Sequence, residues 1–239
     1  MNKKALLLHI LVIPVLAISF MSYGDNDTFI SCTIDPAVTT LRFYWKDDKG
    51  NQLKSLLNLK NHLRAKGEKL LFAMNGGMYQ QDGTPLGLFI QNRKTITPLN
   101  KRSGNGNFYL EPNGVFYIRN NNTAQVCTTA KFVHDSTIAY ATQSGPMLVI
   151  NGCINPSFKK GSTNLNTRNG VGILPGNKIL FAMSKKEVSL YDFASFFKKA
   201  GCSNALYLDG FVSRTYLPEK KWIQQDGNFA VLIGASAKE

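Results

Sequence analysis

Apolar residues in this chain occur mostly in short runs separated by Gly, Asn and Pro, which is the pattern of short β-strands bounded by turns. The segment from Leu174 to Ile179, with Pro175-Gly176-Asn177 inside it, has hairpin-turn chemistry. The predicted strands are Arg42–Lys46, Lys69–Met74, Leu86–Gln91, Phe108–Leu110, Gly114–Arg119, Met147–Ile150, Gly170–Leu174, Ile179–Met183, Ala205–Leu208 and Phe229–Ile233.

Two segments have the helical period instead. Residues 52–66 carry leucines near one face and are followed by Gly67, which favours a helix end. In the second segment Ser189 and Asp192 form a capping box, the apolar stripe includes Phe193 and Phe197, and Gly201 follows. Together the elements predict an α+β fold. We expect a single compact domain with a mixed, mostly antiparallel β-sheet and a few covering helices.

The first 24 residues have the composition of a secretory signal. Lys3 and Lys4 precede an apolar run of 17 residues that ends at Met21, with small residues at Ser22 and Gly24. A membrane-spanning helix needs about 20 apolar residues. We therefore predict a signal peptide over 1–24 and an exported domain over 25–239, periplasmic or secreted, with no stable membrane span after cleavage. A retained N-terminal anchor is the alternative.

The cysteine count fits an exported protein. Cys32, Cys127, Cys153 and Cys202 would all survive cleavage, and an even number permits two disulfides with three possible connectivities. The spacing contains no C-x-x-C pair, which argues against a zinc site. We predict disulfide bonds, with buried free thiols as the alternative.

The chain is strongly basic, with 28 Lys+Arg against 15 Asp+Glu and a formal net charge of +13. No nucleic-acid motif and no aromatic-basic stripe accompanies this charge, so no nucleic-acid partner is expected. An anionic substrate fits it better. Much of the charge lies in four lysine pairs, Lys159-Lys160, Lys185-Lys186, Lys198-Lys199 and Lys220-Lys221.

Common catalytic motifs are missing, because the chain contains no G-x-G-x-x-G, P-loop, H-E-x-x-H or G-x-S-x-G. Two segments nevertheless place glycine and polar residues at the edge of an apolar run. The first segment is Asn75-Gly76-Gly77, where glycines would let backbone amides form a nest for an anion such as phosphate, or else a tight turn. The second is Gln143-Ser144-Gly145, where side-chain donors and acceptors precede a strand, although such residues are also common in ordinary loops.

Two further segments carry charge at strand edges. Arg168 precedes a predicted strand and could bind phosphate or carboxylate through two parallel hydrogen bonds, although a solvated arginine is the default. Asp209 follows a buried strand, where partial desolvation suits a base, a nucleophile or a metal ligand. The alternative is an Asx turn.

Taken in order, five motifs resemble the phosphodiester glycosidase family. They are N-G-G-M-Y, D-G-T-P-L-G-L, Q-S-G-P-M-L-V, R-x-G-V-G-I and L-Y-L-D-G, and the resemblance extends from about Leu70 to Ile233. It implies hydrolysis of a sugar-1-phosphodiester at the anomeric carbon by an exported enzyme. It nominates Asp209 and Arg168 as catalytic and implies contacts with an anionic glycan or sugar-phosphodiester by Asn75, Gly76, Gly77, Gln143, Ser144, Gly145, Gly210, Ser213 and Arg214.

One carboxylate suffices for such a reaction, because a phosphate monoester leaves without much protonation, whereas an ordinary glycosidase needs two. Asp82 is the next candidate carboxylate. No cofactor is expected, although a divalent cation at Asp209 stays open. The sequence does not define the sugar or the oligomeric state.

The chain departs from the family pattern after Gly210, where Phe211 and Val212 replace the usual Gly-Gly before Ser213. This bulky pair is expected to narrow or reshape the loop. It leaves a second interpretation open: a non-catalytic envelope protein that binds an anionic glycan in a degenerate pocket.

Overall fold

Three antiparallel β-sheets carry the fold in the computed structural model, which describes residues 27–239. The expected signal peptide and its cleavage point at Gly24 lie outside the described residues. The strands are β1 (Phe29–Ile34), β2 (Thr40–Tyr44), β3 (Glu68–Asn75), β4 (Phe89–Gln91), β5 (Lys94–Thr97), β6 (Gly114–Arg119), β7 (Ala124–Thr128), β8 (Ile138–Ser144), β9 (Met147–Ile150), β10 (Cys153–Ile154), β11 (Asn169–Leu174), β12 (Lys178–Ser184), β13 (Asn204–Tyr207), β14 (Thr215–Leu217), β15 (Trp222–Ile223) and β16 (Leu232–Lys238).

The first sheet has six strands in the order β1-β12-β11-β13-β9-β10. The second has the order β15-β14-β3-β16-β2, and the third has the order β5-β4-β8-β6-β7. All pairings among the described strands are antiparallel. The α+β prediction with a mostly antiparallel sheet is therefore confirmed, and the sheet is divided into three.

One core joins the three sheets. Phe181 of β12 lies at its centre, with its ring 4.9 Å from that of Phe72 on β3 and 5.9 Å from that of Phe116 on β6. Each of these side chains is fully buried. Because every sheet contributes a ring to the same cluster, the three sheets share a central core, with further clusters outside it, and the described chain forms a single domain.

Two α-helices cover the outside of the sheets. In α1 (Leu56–Arg64), Ser55 accepts the first-turn hydrogen bond from the Asn58 N–H, and three leucines pack on the second sheet. In α2 (Leu190–Lys199), the predicted capping box is present: Ser189 Oγ accepts from the Asp192 N–H and donates to Asp192 Oδ2. Among residues 27–239 there is no helix with the length and apolar character that a membrane crossing requires.

Two predicted strands are wrong in type or position. The Phe108–Leu110 segment lies instead in a short 3-10 helix over Asn107–Tyr109, which Gly106 begins with a φ of 93°. The last strand covers Leu232–Lys238 rather than Phe229–Ile233. This strand gives only a weak hydropathy signal because many of its residues are small. Close packing accounts for the small size at Gly234, where a Cβ would lie 3.2 Å from Leu59 of α1.

The predicted disulfides are absent from the described residues, where all four cysteines are free. Cys32 lies in the central core, whereas Cys202 packs beneath α2 in another cluster. Cys127 on β7 and Cys153 on β10 belong to different sheets. The topology therefore places the thiols in different parts of the fold. Cys32 and Cys202 are buried free thiols that pack in hydrophobic clusters, not members of a disulfide.

The thiols provide a direct test. We expect all four cysteines to react with a thiol reagent in denaturant without reductant, and Cys153 to react first in the native protein because it is exposed. Burial raises the pKa of Cys202 to about 12 and that of Cys127 to about 11, which suppresses the reactive thiolate. Mass spectrometry of the labelled protein locates each modification. Fewer than four labels in denaturant would contradict the free-thiol state.

Candidate active site

Asn75, at the end of β3, lies at a junction between the first and second sheets. Its Nδ2 donates to the Asp209 carbonyl at 2.8 Å, and its Oδ1 accepts from Asn169 Nδ2 at 3.0 Å and from the Arg214 N–H at 2.9 Å. Asn169 Nδ2 also donates to the Asn75 carbonyl at 2.8 Å. One buried amide thus ties the start of β11, the end of β3 and the segment around Asp209 together.

The segment after β13 is held from all three sheets. The Leu208 N–H donates to the Asn169 carbonyl, and the Asp209 N–H donates to the Gly76 carbonyl at 3.1 Å. From the third sheet, Ser144 Oγ donates to the Leu208 carbonyl at 3.1 Å. The four segments singled out in the sequence therefore converge on Leu208 and Asp209.

Asp209 is a partly buried carboxylate at this convergence. Among the described residues, no side chain or backbone donor forms a hydrogen bond with its carboxylate, and no cation forms an ion pair with it. Burial raises its pKa from 3.8 to about 6. The fold therefore holds its backbone tightly while it leaves the carboxylate oxygens uncommitted, as a base or a nucleophile requires.

Arg168 is the complementary charge. Its side chain is 1% exposed, and its guanidinium donates only to neutral groups: Nε to the Val188 carbonyl at 2.7 Å and Nη2 to the Asn164 carbonyl at 2.9 Å. No carboxylate among the described residues pairs with it. A buried charge without a counter-charge is costly, so this position favours an anionic ligand.

Tyr207 connects the two charged groups. Arg168 Nη1 donates to Tyr207 Oη at 3.3 Å, and the guanidinium carbon lies 5.5 Å from the ring centroid. Burial raises the Tyr207 pKa, the Arg168 charge lowers it and the Asp209 charge raises it. The register agrees, because Gly170 pairs with Tyr207, so Arg168 and Asp209 extend from the same end of adjacent strands.

A small cavity of about 190 Å³ borders the Arg168 guanidinium. Its wall combines the apolar side chains of Leu110, Phe158 and Leu190 with a second cation and several polar groups, from Ser157, Lys159, Ser162, Asn164 and Tyr191. Hydroxyls, an amide and two cations around a volume of this size suit a single tetrahedral anion.

Comparison with known proteins identifies the family of this chain. The family model for phosphodiester glycosidases matches residues 68–231, which include every site residue nominated above. The chain belongs to the phosphodiester glycosidase family. Membership indicates a glycosidase-type hydrolase.

Individual relatives extend the likeness over the whole chain. The chain is 34% identical over 242 residues to the uncharacterized protein YigE of Escherichia coli (strain K12), covering 100% of this chain and 94% of that one. The zebrafish N-acetylglucosamine-1-phosphodiester alpha-N-acetylglucosaminidase catalytic domain, auto-inhibited by its pro-peptide, superposes with a TM-score of 0.60 at 17% identity over 85% of this chain and 75% of that chain. A hypothetical protein from Synechocystis superposes with a TM-score of 0.53 at 13% identity over 87% and 59%. At these identities, the structural likeness shows a shared fold.

Within this family member, the glycines of the first two segments serve close packing. Neither Gly76 nor Gly77 has a positive φ. A Cβ at Gly76 would lie 2.5 Å from Val231, and one at Gly77 would lie 2.6 Å from the Gln143 carbonyl. At Gly145, a Cβ would lie 2.6 Å from Asn113. The expected positive-φ anion nest is therefore not formed, and these glycines let neighbouring segments approach.

Gln143 and Ser144 lie inside β8, not in a loop. Gln143 Oε1 accepts from the N–H groups of Leu88 and Asn100, and its Nε2 donates to the Asn100 carbonyl and to Thr129 Oγ1. Its amide is thus committed to neighbouring protein groups. The structure places Gln143 as a support for the loop that contains Asn100.

The loop after Asp209 turns back at once. Ser213 Oγ and the Ser213 N–H both donate to the Gly210 carbonyl, and a Cβ at Gly210 would collide with Tyr207 Oη. Arg214 directs its guanidinium away to Asp226, 2.8 Å from Oδ1, while its N–H binds Asn75. Phe211 is 81% exposed, whereas Val212 packs against the cluster that contains the α1 leucines.

Sequence reasoning nominated neither Asn169 nor Tyr207, although both lie inside the quoted motifs. Their positions in the sequence could have indicated them, because each lies close to a nominated residue on one of two adjacent strands. Asp82 lies apart from this cluster, exposed and accepting from the Thr84 N–H of its own turn. No group of three or more His, Cys, Asp or Glu residues that could hold a metal occurs among residues 27–239.

The raised pKa of Asp209 predicts a stability change with a definite sign. A raised folded-state pKa means that the native state binds the proton more tightly, so Asp209 weakens folding as pH rises from about 4 to above 6. Asp209→Asn should therefore increase the free energy of unfolding at pH 8 by about 1–3 kcal/mol and have little effect at pH 4. Urea denaturation at both values measures this.

Asp82→Asn is the matched control. Its carboxylate pKa is lowered by the hydrogen bonds from Thr84, so removing the charge should reduce stability at pH 8. A difference between wild type and Asp209→Asn that does not change with pH would contradict the assigned burial.

Proposed function

We propose that this protein hydrolyses a glycosyl 1-phosphodiester at the anomeric carbon. The observation that carries the proposal is the pair Asp209 and Arg168, which have opposite charges at one end of the first sheet, and neither is neutralised by a counter-charge among the described residues. Such a pair suits a substrate with an electrophilic carbon beside a phosphate.

The reaction assigned to Asp209 breaks the bond between the anomeric carbon and the phosphate oxygen. As a base, Asp209 takes a proton from water while the water oxygen bonds the anomeric carbon and the phosphate monoester leaves with the electron pair. As a nucleophile, it bonds the carbon first, and water then releases the sugar. The stereochemistry of the first sugar released separates the routes, since one step inverts the centre and two retain it.

Arg168 would stabilise the charge that accumulates on the leaving phosphate. One Nη1 hydrogen remains beyond the bond to Tyr207. Because the guanidinium is already positioned by Val188 and Asn164, it needs little reorganisation during the reaction. The buried Asn169 Oδ1, which accepts no hydrogen bond from the described residues, is assigned to a sugar hydroxyl.

An exported location is part of the proposal and rests on the basic start and apolar run of the N-terminal segment. The 81% exposure of Phe211 favours turnover over the degenerate-pocket alternative, because its side chain extends into solvent instead of packing against the protein.

Asp209→Asn should reduce turnover of a glycosyl 1-phosphodiester by roughly 10²–10⁴-fold, because the amide can act neither as a base nor as a nucleophile. In the wild type, kcat/KM should rise with pH through about 6, as Asp209 loses its proton. Release of free sugar measures both effects. Asp48→Asn is the control, since this exposed carboxylate pairs with Lys66 on the surface.

Loss of activity in Asp82→Asn but not in Asp209→Asn would move the catalytic role to Asp82. Binding of the diester without release of sugar in the wild type would favour the non-catalytic alternative.

Arg168→Lys should raise the KM for the diester by about 10–100-fold. Lysine keeps the charge but lacks the guanidinium fork, so a charge-assisted hydrogen bond to the phosphate of about 1.5–3 kcal/mol is lost. Inorganic phosphate should inhibit the wild type competitively and inhibit the variant more weakly by a similar factor. Thermal unfolding checks that the variant is folded. An unchanged KM together with unchanged phosphate inhibition would overturn the phosphate role.

A further inference from the structure

A groove of about 830 Å³ lies along the outer side of α2. We define the lysine groove by six of its residues: Lys160, Lys186, Lys199, Phe29, Tyr191 and Phe196. Three of the four lysine pairs noted in the sequence each contribute one residue to it. Charges that are scattered along the chain are thus gathered on one surface by the fold.

The floor of the lysine groove is aromatic. Phe29 and Phe196 contact each other with ring centroids 4.6 Å apart, and Tyr191 lies five residues before Phe196 on α2. The three lysines are exposed, and none forms a salt bridge with a described carboxylate. Two acids, Glu187 and Asp192, also line the groove, and Asp192 accepts from Ser189 Oγ in the helix cap. The groove therefore combines flat apolar surface with three lysines against two carboxylates.

The lysine groove and the cavity beside Arg168 share a lining residue. Tyr191 lines both spaces, and Lys159 of the small cavity is adjacent in the chain to Lys160 of the groove. Val188, whose carbonyl accepts from Arg168 Nε, also lines the groove. A ligand with its phosphate at Arg168 can therefore extend along α2.

We propose that the lysine groove binds the aglycone side of the substrate, and that this side is a phosphodiester-linked glycan chain. Further phosphates of the chain would contact the lysines, and its sugar rings would pack on Tyr191 and Phe196. This inference rests on the proposed function, since it takes the scissile phosphate to lie at Arg168.

The distribution of charge favours a repeating anion over a lipid phosphate. Lys160 comes from the segment before β11, Lys186 from the loop after β12 and Lys199 from the last turn of α2. Cations thus border the groove from three separate segments, so no wholly apolar end remains for an acyl chain. A chain with regularly spaced phosphates would meet a cation at several points.

The test compares two substrates of the same sugar: a short methyl phosphodiester and an oligomer of several phosphodiester-linked repeats. In the triple variant Lys160→Gln, Lys186→Gln, Lys199→Gln, kcat/KM for the oligomer should fall about 10-fold or more, while that for the short substrate should stay within about twofold of wild type. Added salt should shrink the difference, because exposed charges are screened.

The control triple variant is Lys69→Gln, Lys94→Gln, Lys238→Gln, which removes the same charge at exposed positions outside the groove. It should retain the preference for the oligomer. Equal losses for both substrates in the groove variant, or equal losses for the oligomer in both triple variants, would overturn the proposal.

A binding measurement separates failure of the groove from failure of the proposed function. Calorimetry with the oligomer uses Asp209→Asn, with and without the groove substitutions. If the wild type cleaves neither substrate, but the groove substitutions weaken binding of the oligomer about 10-fold, the proposed activity is wrong and the groove assignment stands. Binding to vesicles of anionic phospholipid without binding to the oligomer would show that the groove takes a lipid and would overturn the glycan assignment.

Discussion

The buried amide of Asn75 is the interaction on which the site depends. It satisfies the Asp209 carbonyl, the Arg214 N–H and the Asn169 side chain at once. An unsatisfied buried polar group costs about 1–3 kcal/mol, and several would appear together if this side chain were lost. The chain can therefore leave the Asp209 carboxylate uncommitted because its backbone is fixed by a neutral amide network.

The two charged groups illustrate how a binding site differs from a structural ion pair. Arg42 and Glu68 neutralise each other at 2.8 Å near the surface, and Arg214 pairs with Asp226 in the same way. Arg168 and Asp209 are more buried yet form no salt bridge with each other, and the Tyr207 hydroxyl, which accepts from Arg168, is affected by the charge of both. Separation leaves both charges poorly compensated, which weakens folding but leaves each free to act on a ligand of the opposite polarity.

The glycine-rich motifs show how the same residues acquire a different physical role in three dimensions. From the sequence, Gly76 and Gly77 suited either an anion-binding nest or a tight turn, but their missing side chains instead allow Val231 and β8 to approach. This close approach brings the second and third sheets against the segment around Asp209. In the proposed function, the phosphate is therefore bound by the Arg168 side chain and the cavity beside it.

By itself, the sequence determined features that depend on neighbouring residues. The capping box at Ser189, the hairpin between β11 and β12, and apolar strands such as β6 and β9 follow from local propensity and alternation. The same holds for Asp209 and Arg168 as candidates, since each has a strand beside it. Strand β16, with its small residues under α1, could not be identified in this way, and neither could the separate positions of the cysteines.

Only the tertiary structure decided that Asn75 joins the segments, that Gln143 is a support, and that three distant lysines form one groove. These outcomes depend on contacts between residues far apart in the chain, whose geometry is set by the packing of three sheets on a common core.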